Sequence, residues 1–404
     1  MTYRIDRLGH QGDGIAVGPV FAPMTLPGEV VSGILNGQRL TDIRIMDPSA
    51  RRVAPPCRHF KACGGCQLQH ADDAFVAEWK EDVVRTALAA HGLEAPFRPI
   101  ATSPARARRR ATLSARRTKK SAMAGLHGRA SDVIVEIPDC QLLHPDLMRA
   151  IPVAEALAVA TASRKGALDV AACLSDGGLD VNVTGGRPLD GPLRIVLAGL
   201  AEAHDLARLS WEGEVIATRR PPVQRFGNVR IVPPPGAFLQ ATAEGEAALL
   251  ADVMDAMSGA ARIVDLFAGC GTFTLPLAAR AQVHAVEGEA AMTDVLDAGW
   301  RKASGLKQVV AEPRDLFRRP LRPEELKSFD AAVIDPPRAG AEAQIAQLAG
   351  AAIPRIAYVS CNPVTFARDA AVLVAGGFTL NGLRVVDQFR WSSHVELVAD
   401  FTRA

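Results

Sequence analysis

The sequence predicts an α/β protein in three parts: a small β-barrel over residues 1–50, an α+β segment over 51–235, and a doubly wound domain with a parallel sheet over 236–404. Three observations carry this. Residues 1–50 fall into short alternating runs (YRIDRL, GIAVG, GEVVSGIL, LTDIRIM) separated by Gly, Pro and Asn. From 236 onward, helical patterns alternate with short apolar strands, the pattern of a sheet covered on both faces. Between these regions β-like runs surround one Ala-rich helix, and Pro233, Pro234, Pro235 and Gly236 mark a linker. A chain of 404 residues has room for two or three such units.

After the barrel comes a cysteine cluster, then a helix near 73–92 with Phe75, Trp79, Val83 and Leu88 at helical spacing, stopping at Gly92. This helix is expected to pack on the last domain. The middle segment supplies the runs SDVIVEI, LDVAACL, LDVNVTG and VRIVPPP with a helix near 150–162. The last domain then reads helix 242–257, strand RIVDLF, a Gly turn, helix TFTLPLAAR, strand QVHAVE, helix 289–303, and strands QVVAE and DAAVID. It ends with RIAYVS, helix 363–375, and two extended runs, FTLNGLRVVDQF and HVELVADF, which fit an antiparallel pair closing one edge.

The composition, 48% hydrophobic and 22% charged, excludes a disordered or collagen-like chain. No apolar run is long enough for a membrane span, and MTYRIDRLGH lacks the apolar core of a secretory signal, so the expected compartment is the cytoplasm. The net charge of +2 hides a segregation. Residues 95–131 contain no Asp or Glu but ten cations (Arg98, Arg106, Arg108, Arg109, Arg110, Arg116, Arg117, Lys119, Lys120, Arg129), leaving −8 for the rest. A local field of that sign is the footprint of a phosphate-backbone partner.

Four motifs sit where strands of the last domain end. Val264-Asp265-Leu266-Phe267-Ala268-Gly269-Cys270-Gly271-Thr272 joins a strand to a Gly-x-Gly turn, and Glu287 ends the next strand, placed to accept hydrogen bonds from ribose hydroxyls. The ligand can be a dinucleotide or S-adenosylmethionine. Thr274 interrupts the full dinucleotide fingerprint, and the acidic Asp265 suits a positively charged ligand better than a pyrophosphate. Asp335-Pro336-Pro337-Arg338 forms a rigid loop bordering the same crevice. Ser360-Cys361-Asn362-Pro363 sets a thiol at a helix N-terminus, where the helix dipole is expected to lower its pKa and favour a nucleophilic thiolate. His394-Val395-Glu396 puts His394 and Glu396 on one face of a strand, where a carboxylate can act as general base.

The fifth motif is Cys57, Cys63, Gly64, Gly65, Cys66 with Cys140 as a distant fourth thiol. Four thiolates hold either a tetrahedral zinc or an iron–sulfur cluster; three close ligands and one remote one look more like a cluster, and His59, His70 or His144 can stand in for a thiol. Seven cysteines without an export signal argue against a disulfide framework.

Together these motifs resemble the RNA uracil-5 methyltransferase family, most closely its 23S ribosomal RNA branch. The resemblance spans nearly the whole chain. GHQGDGIAV and LPGEVV look like a TRAM RNA-binding barrel, the four cysteines match [4Fe-4S] ligands in order and spacing, and Phe238-Leu239-Gln240, DLFAGCG, DPPR, SCNP and HVE follow in the family's order. The resemblance implies a Rossmann-like S-adenosylmethionine methyltransferase domain preceded by an iron–sulfur central domain. It implies Cys361 as nucleophile and Glu396 as base, with Gln240, Phe267, Thr272, Glu287, Asp315 and Asp335 lining the S-adenosylmethionine site. Thr272 stands where the family often has Asn, and AEPRDLF around Asp315 aligns loosely. The implied partner is RNA, 23S rRNA in that branch, with a monomeric enzyme and no membrane or obligate protein partner. Alternatives are a tRNA uracil-5 enzyme, an RNA cytosine-5 enzyme that also uses a cysteine, and a non-catalytic rRNA-binding iron–sulfur protein.

Overall fold

The computed structural model describes residues 1–163 and 166–403. Five strands, Thr2–Leu8, Gly14–Ala16, Val20–Ala22, Val30–Asn36 and Arg39–Asp47, close into a barrel. Its interior is Ile5, Ala16, Val20, Ala22, Val31 and Leu40, the inward positions of the alternating runs. Gly14 is required there, because a Cβ would collide with the Thr25 hydroxyl.

The middle sheet has seven strands, and two of them, Arg110–Arg117 and Ala122–His127, come from the basic segment. That segment is therefore no free arm. Leu113, Ala115 and Ala124 alternate inward and pack under the Ala150–Thr161 helix. A second helix, Gly191–Ala203, covers the same face; it escapes a reading of the sequence because Gly191-Pro192 looks like loop rather than a helix start. VRIVPPP also departs from expectation: Val229–Ile231 pairs with Gln224–Phe226 as a separate two-stranded ribbon.

In the last domain the strand order is Val309–Pro313, Gln282–Glu287, Arg262–Leu266, Ala331–Ile334, Arg355–Ser360, Leu397–Thr402, Thr379–Asp387, with Ala101–Thr102 added at the edge. The first five run parallel, and the final pair is antiparallel. The order reverses beside Arg262–Leu266, which is where open α/β sheets bind ligands. The expected helix at TFTLPLAAR shrinks to Thr274–Leu277, and the unexpected helix Glu342–Gly350 follows the DPPR loop.

The Asp73–Ala89 helix, started by Asp72 accepting from the Phe75 N–H, leaves the cysteine region and buries Val84 and Leu88 in the core of the last domain. Its Lys80 is fully buried; Nζ donates to Asp387 Oδ1 at 2.6 Å and to the Phe389 carbonyl at 3.1 Å. The segment after Asp387 is held from the other side as well. The N–H groups of Gln67 and Leu68, next to Cys66, both donate to the Trp391 carbonyl at 2.8 Å.

Candidate active site

Sheet register collects the candidate residues on one edge. Leu266 pairs with Val286 and Ile334, Ile334 with Tyr358, and Glu287 with Pro313. Phe267, Glu287, Asp335 and Cys361 thus stand in a row at or just past the carboxyl ends of parallel strands, with Asp315 two residues past its own. Glu396 joins them from an antiparallel strand: Ser360 faces Leu397, so Cys361 and Glu396 leave the sheet side by side.

At the Gly turn, Phe267, Gly269 and Gly271 all have positive φ, at 62°, 55° and 95°. For a phenylalanine this is a strained backbone that surrounding structure must hold. Gly271 has no room for a side chain, since a Cβ would press on Leu275 and Leu296 at 3.0 Å. Glu287 anchors the turn: Oε2 accepts from the Gly269 N–H at 3.0 Å and Oε1 from the Glu289 N–H at 3.0 Å. Asp315 Oδ1 likewise accepts from the Phe317 N–H at 2.9 Å, and the rings of Phe317 and Phe267 lie 5.4 Å apart. Thr272 is half-buried within the turn. Asp265 departs from the sequence expectation. It is wholly buried, its Oδ2 accepts from the Thr274 hydroxyl at 2.5 Å, and its Oδ1 has no hydrogen-bond partner among the described residues. Desolvation pushes its pKa up to about 7, so it is part of the foundation under the turn rather than an open charge facing ligand.

Glu396 is also buried, and desolvation raises its pKa to about 7 against the opposing influence of a Gln388 hydrogen bond and the Arg110 charge. Asp335 is driven well above the ordinary carboxylate range by desolvation and by the neighbouring Glu396 and Asp265. Cys361 is half-buried and differs from the sequence expectation. Its pKa goes up, to about 11, because desolvation first, and then the charges of Glu396 and Asp335, outweigh the Arg338 charge.

Cys361 opens on a cleft of about 1090 Å³ lined by barrel residues (Asp6, Arg7, His10), the Asp73–Ala89 helix (Trp79, Asp82), and Arg338 and His394. The strand-end residues Phe267, Glu287 and Asp315 do not line it. Gln240 is buried and shares the Gln388 amide with Glu396: its Oε1 accepts from Gln388 Nε2 at 2.6 Å. Gln388 itself carries no sequence signal beyond being a polar residue after an apolar strand.

The four candidate cysteines come together as free thiols. Desolvation raises Cys63, Cys66 (to about 12) and Cys140, and Cys63 and Cys66 also feel the charges of the other thiols. Cys57 lies within reach of all three. Cys63 Sγ accepts from the Gly65 N–H and Cys140 Sγ from the Leu142 N–H, both at 3.4 Å. Arg108 and Arg129 lie close enough to feel the thiols. Among the described residues no three His, Cys, Asp or Glu side chains are arranged to hold a single metal ion. His70 is buried and its ring stacks on Phe60, with centroids 5.6 Å apart. His144 instead caps the Pro145–Arg149 turn.

The basic segment divides. Arg98 is bound by Asp252 and Asp400, and Arg109 by Glu246. Arg117, Lys119 and Lys120 are exposed at the tip of the hairpin, with no ion pair among the described residues.

The tRNA (uracil-5-)-methyltransferase family model matches residues 230–401. An uncharacterized RNA methyltransferase of Rhizobium meliloti is 44% identical, covering 98% of each chain. The 23S rRNA (uracil(1939)-C(5))-methyltransferase RlmD of Chromohalobacter salexigens is 33% identical over 99% of this chain and 88% of its own. Among solved structures, the Pyrococcus abyssi tRNA (uracil-54, C5)-methyltransferase in complex with S-adenosyl-L-homocysteine has the same fold, with a TM-score of 0.78, 22% identity, and coverage of 100% and 99%. With full-length relatives above 30% identity, matching motifs and a matching fold, the chain belongs to the RNA uracil-5 methyltransferase family.

Proposed function

We propose that this protein methylates C5 of a uracil in RNA, with 23S ribosomal RNA as substrate and S-adenosylmethionine as methyl donor. The observation that carries the reading is the pairing, by sheet register, of a buried carboxylate with a half-buried thiol that lines a wide cleft. Bound at the strand ends, S-adenosylmethionine supplies an electrophilic methyl group; Glu287 and Asp315 are the acceptors that the family resemblance implies for its hydroxyl and amine donors. The similarity to RlmD supports ribosomal over transfer RNA.

C5 of uracil is a weak nucleophile. Cys361 gives up its thiol proton to the solvent of the cleft it lines and adds as thiolate to C6, moving the ring electrons toward O4; C5 then bonds to the methyl carbon as the methyl–sulfonium bond breaks, its electron pair staying on that sulfur, and S-adenosylhomocysteine leaves. C5 then carries both the methyl group and its original hydrogen. Glu396 removes that proton, the double bond re-forms, and the C6–Sγ bond breaks with the electron pair returning to sulfur. A carboxylate with a pKa of about 7 suits this role, being ionised enough to accept a proton near neutrality and basic enough to hold it. The uracil must leave its stack to present C5 and C6 to these two groups.

We read the four cysteines as the [4Fe-4S] ligands that the family resemblance implies, in a region that would close around the cluster when it binds. The thiols are mutually coupled, two already accept backbone N–H groups, and Arg108 and Arg129 offset negative charge. No step above transfers an electron, so the cluster's role is structural or RNA-positioning. The free thiols accord with a cytoplasmic enzyme. No described helix is long and apolar enough to cross a membrane.

The test is methylation of matched transcripts containing U or C, with 5-methyluridine mapped by mass in rRNA from a deletion strain. Product on C rather than U, or loss of a tRNA rather than an rRNA modification, would overturn the substrate. Methylation surviving Cys361→Ala would overturn the mechanism.

A further inference from the structure

We infer that Gln388 is the positioning residue of the base: its side-chain amide orients Glu396 and Gln240 together and leaves one defined carboxylate oxygen to take the C5 proton. The inference rests on the function proposed above.

Gln388 is 1% exposed and lies between the last two strands, where its amide is fully used. The orientation of that amide is fixed by its surroundings. The Ala241 backbone N–H lies 2.6 Å from one end, and the Thr242 N–H lies 3.4 Å away. A backbone N–H can only donate, so that end is the oxygen. The other end is then NH2, with two hydrogens and two partners, Gln240 Oε1 at 2.6 Å and Glu396 Oε2. Two consequences follow. Gln240 must turn its oxygen toward Gln388, so its own NH2 is its remaining donor. Glu396 has Oε2 occupied by a neutral donor, and Oε1 is the oxygen free to receive a proton.

Gln388 is itself held on both sides. Lys80 ties down the preceding Asp387 from the Asp73–Ala89 helix, and the Trp391 carbonyl is fastened by the N–H groups beside Cys66. The base is thus positioned by elements distant in sequence, through one amide.

Donation to a carboxylate favours its ionised form. Replacing Gln388 by Met keeps length and removes both donors and the acceptor. The apparent pKa of Glu396 should rise by about one unit, as expected for loss of a hydrogen bond to a charged group. At pH 7 this lowers the ionised fraction of the base, and the rate of release of the protein–RNA adduct, about fivefold, and the defect should vanish above about pH 9. Gln388→Glu is the second variant. It is isosteric, still accepts from Ala241, and sets a carboxylate against Glu396, so the acid limb of the profile should move to higher pH by more than in Q388M.

The experiment measures the pH profile of adduct release in single turnover, and titrates Glu396 by carbon NMR in the RNA-free protein. Upward movement of both in Q388M and Q388E supports the assignment. An unchanged Glu396 titration and an unmoved profile in a folded, active variant overturn it, as does a loss equal at all pH values. If Q388M does not fold, Q388E decides. If the wild-type protein forms neither adduct nor 5-methyluridine, the proposed function has failed, and the NMR titration still judges the positioning.

Discussion

Replacing Glu396 by Gln should make the protein inactive and more stable at once. In the unfolded chain this carboxyl ionises near 4.5, and in the folded protein near 7. Between those values the unfolded state has lost its proton and the folded state has kept it. The folded state therefore binds more protons, and stability falls as pH rises through the window. Integrated over a shift of this size, ionisation of Glu396 costs under about 1 kcal/mol at pH 5 and on the order of 3 kcal/mol at pH 8. Gln keeps the shape and can still accept from the Gln388 amide through its oxygen, while removing the buried charge and its repulsion of Asp335 and Cys361. Urea titrations of wild type and E396Q at both pH values test this. The variant should gain roughly 2–3 kcal/mol more at pH 8 than at pH 5. With substrate RNA and S-adenosylmethionine it should accumulate a covalent adduct that survives denaturing gels. A variant equally stabilised or destabilised at both pH values would refute the electrostatic reasoning, and the absence of adduct with a competent substrate would refute the base assignment.

Three other outcomes are expected. Lys80→Met strands a buried Asp387 carboxylate and should cost about 3–5 kcal/mol, much of which the double variant K80M/D387L should recover because it removes both charges; denaturant titration of the pair reads this. Arg117→Ala, Lys119→Ala and Lys120→Ala combined should weaken RNA binding and flatten the slope of log affinity against log salt by about 0.7–0.9 for each phosphate left without its cation, whereas neutralising the internally paired Arg98 should act on stability instead. Protein purified without oxygen should be brown with broad absorbance, and Cys66→Ser should lose colour and iron; a colourless wild type containing zinc would overturn the cluster.

The motif residues were legible because each is local: an apolar run ending in a Gly turn, an acidic residue or a Ser-Cys-Asn-Pro step already says that a parallel strand stops there. Since parallel strands of one sheet end on one edge, Phe267, Glu287, Asp335 and Cys361 share that edge as soon as the alternation of helix and strand is recognised. Glu396 is different. Its nearness to Cys361 depends on an antiparallel register between strands, and a shift of one residue would have turned it to the other face. Its pKa and that of Cys361 likewise depend on burial, and for Cys361 also on carboxylates contributed by separate strands, none of which a local pattern reveals. The cationic run was visible as composition, but which of its charges remain available for RNA was decided by partners some 137 to 302 residues away. Gln388 was invisible for the same reason. The sequence alone determined which chemical groups this protein has and which strand ends carry them, because strand and turn patterns are short-range. Only the tertiary structure decided how those groups are oriented, paired and charged, because hydrogen bonds and desolvation depend on neighbours that the chain brings together from afar.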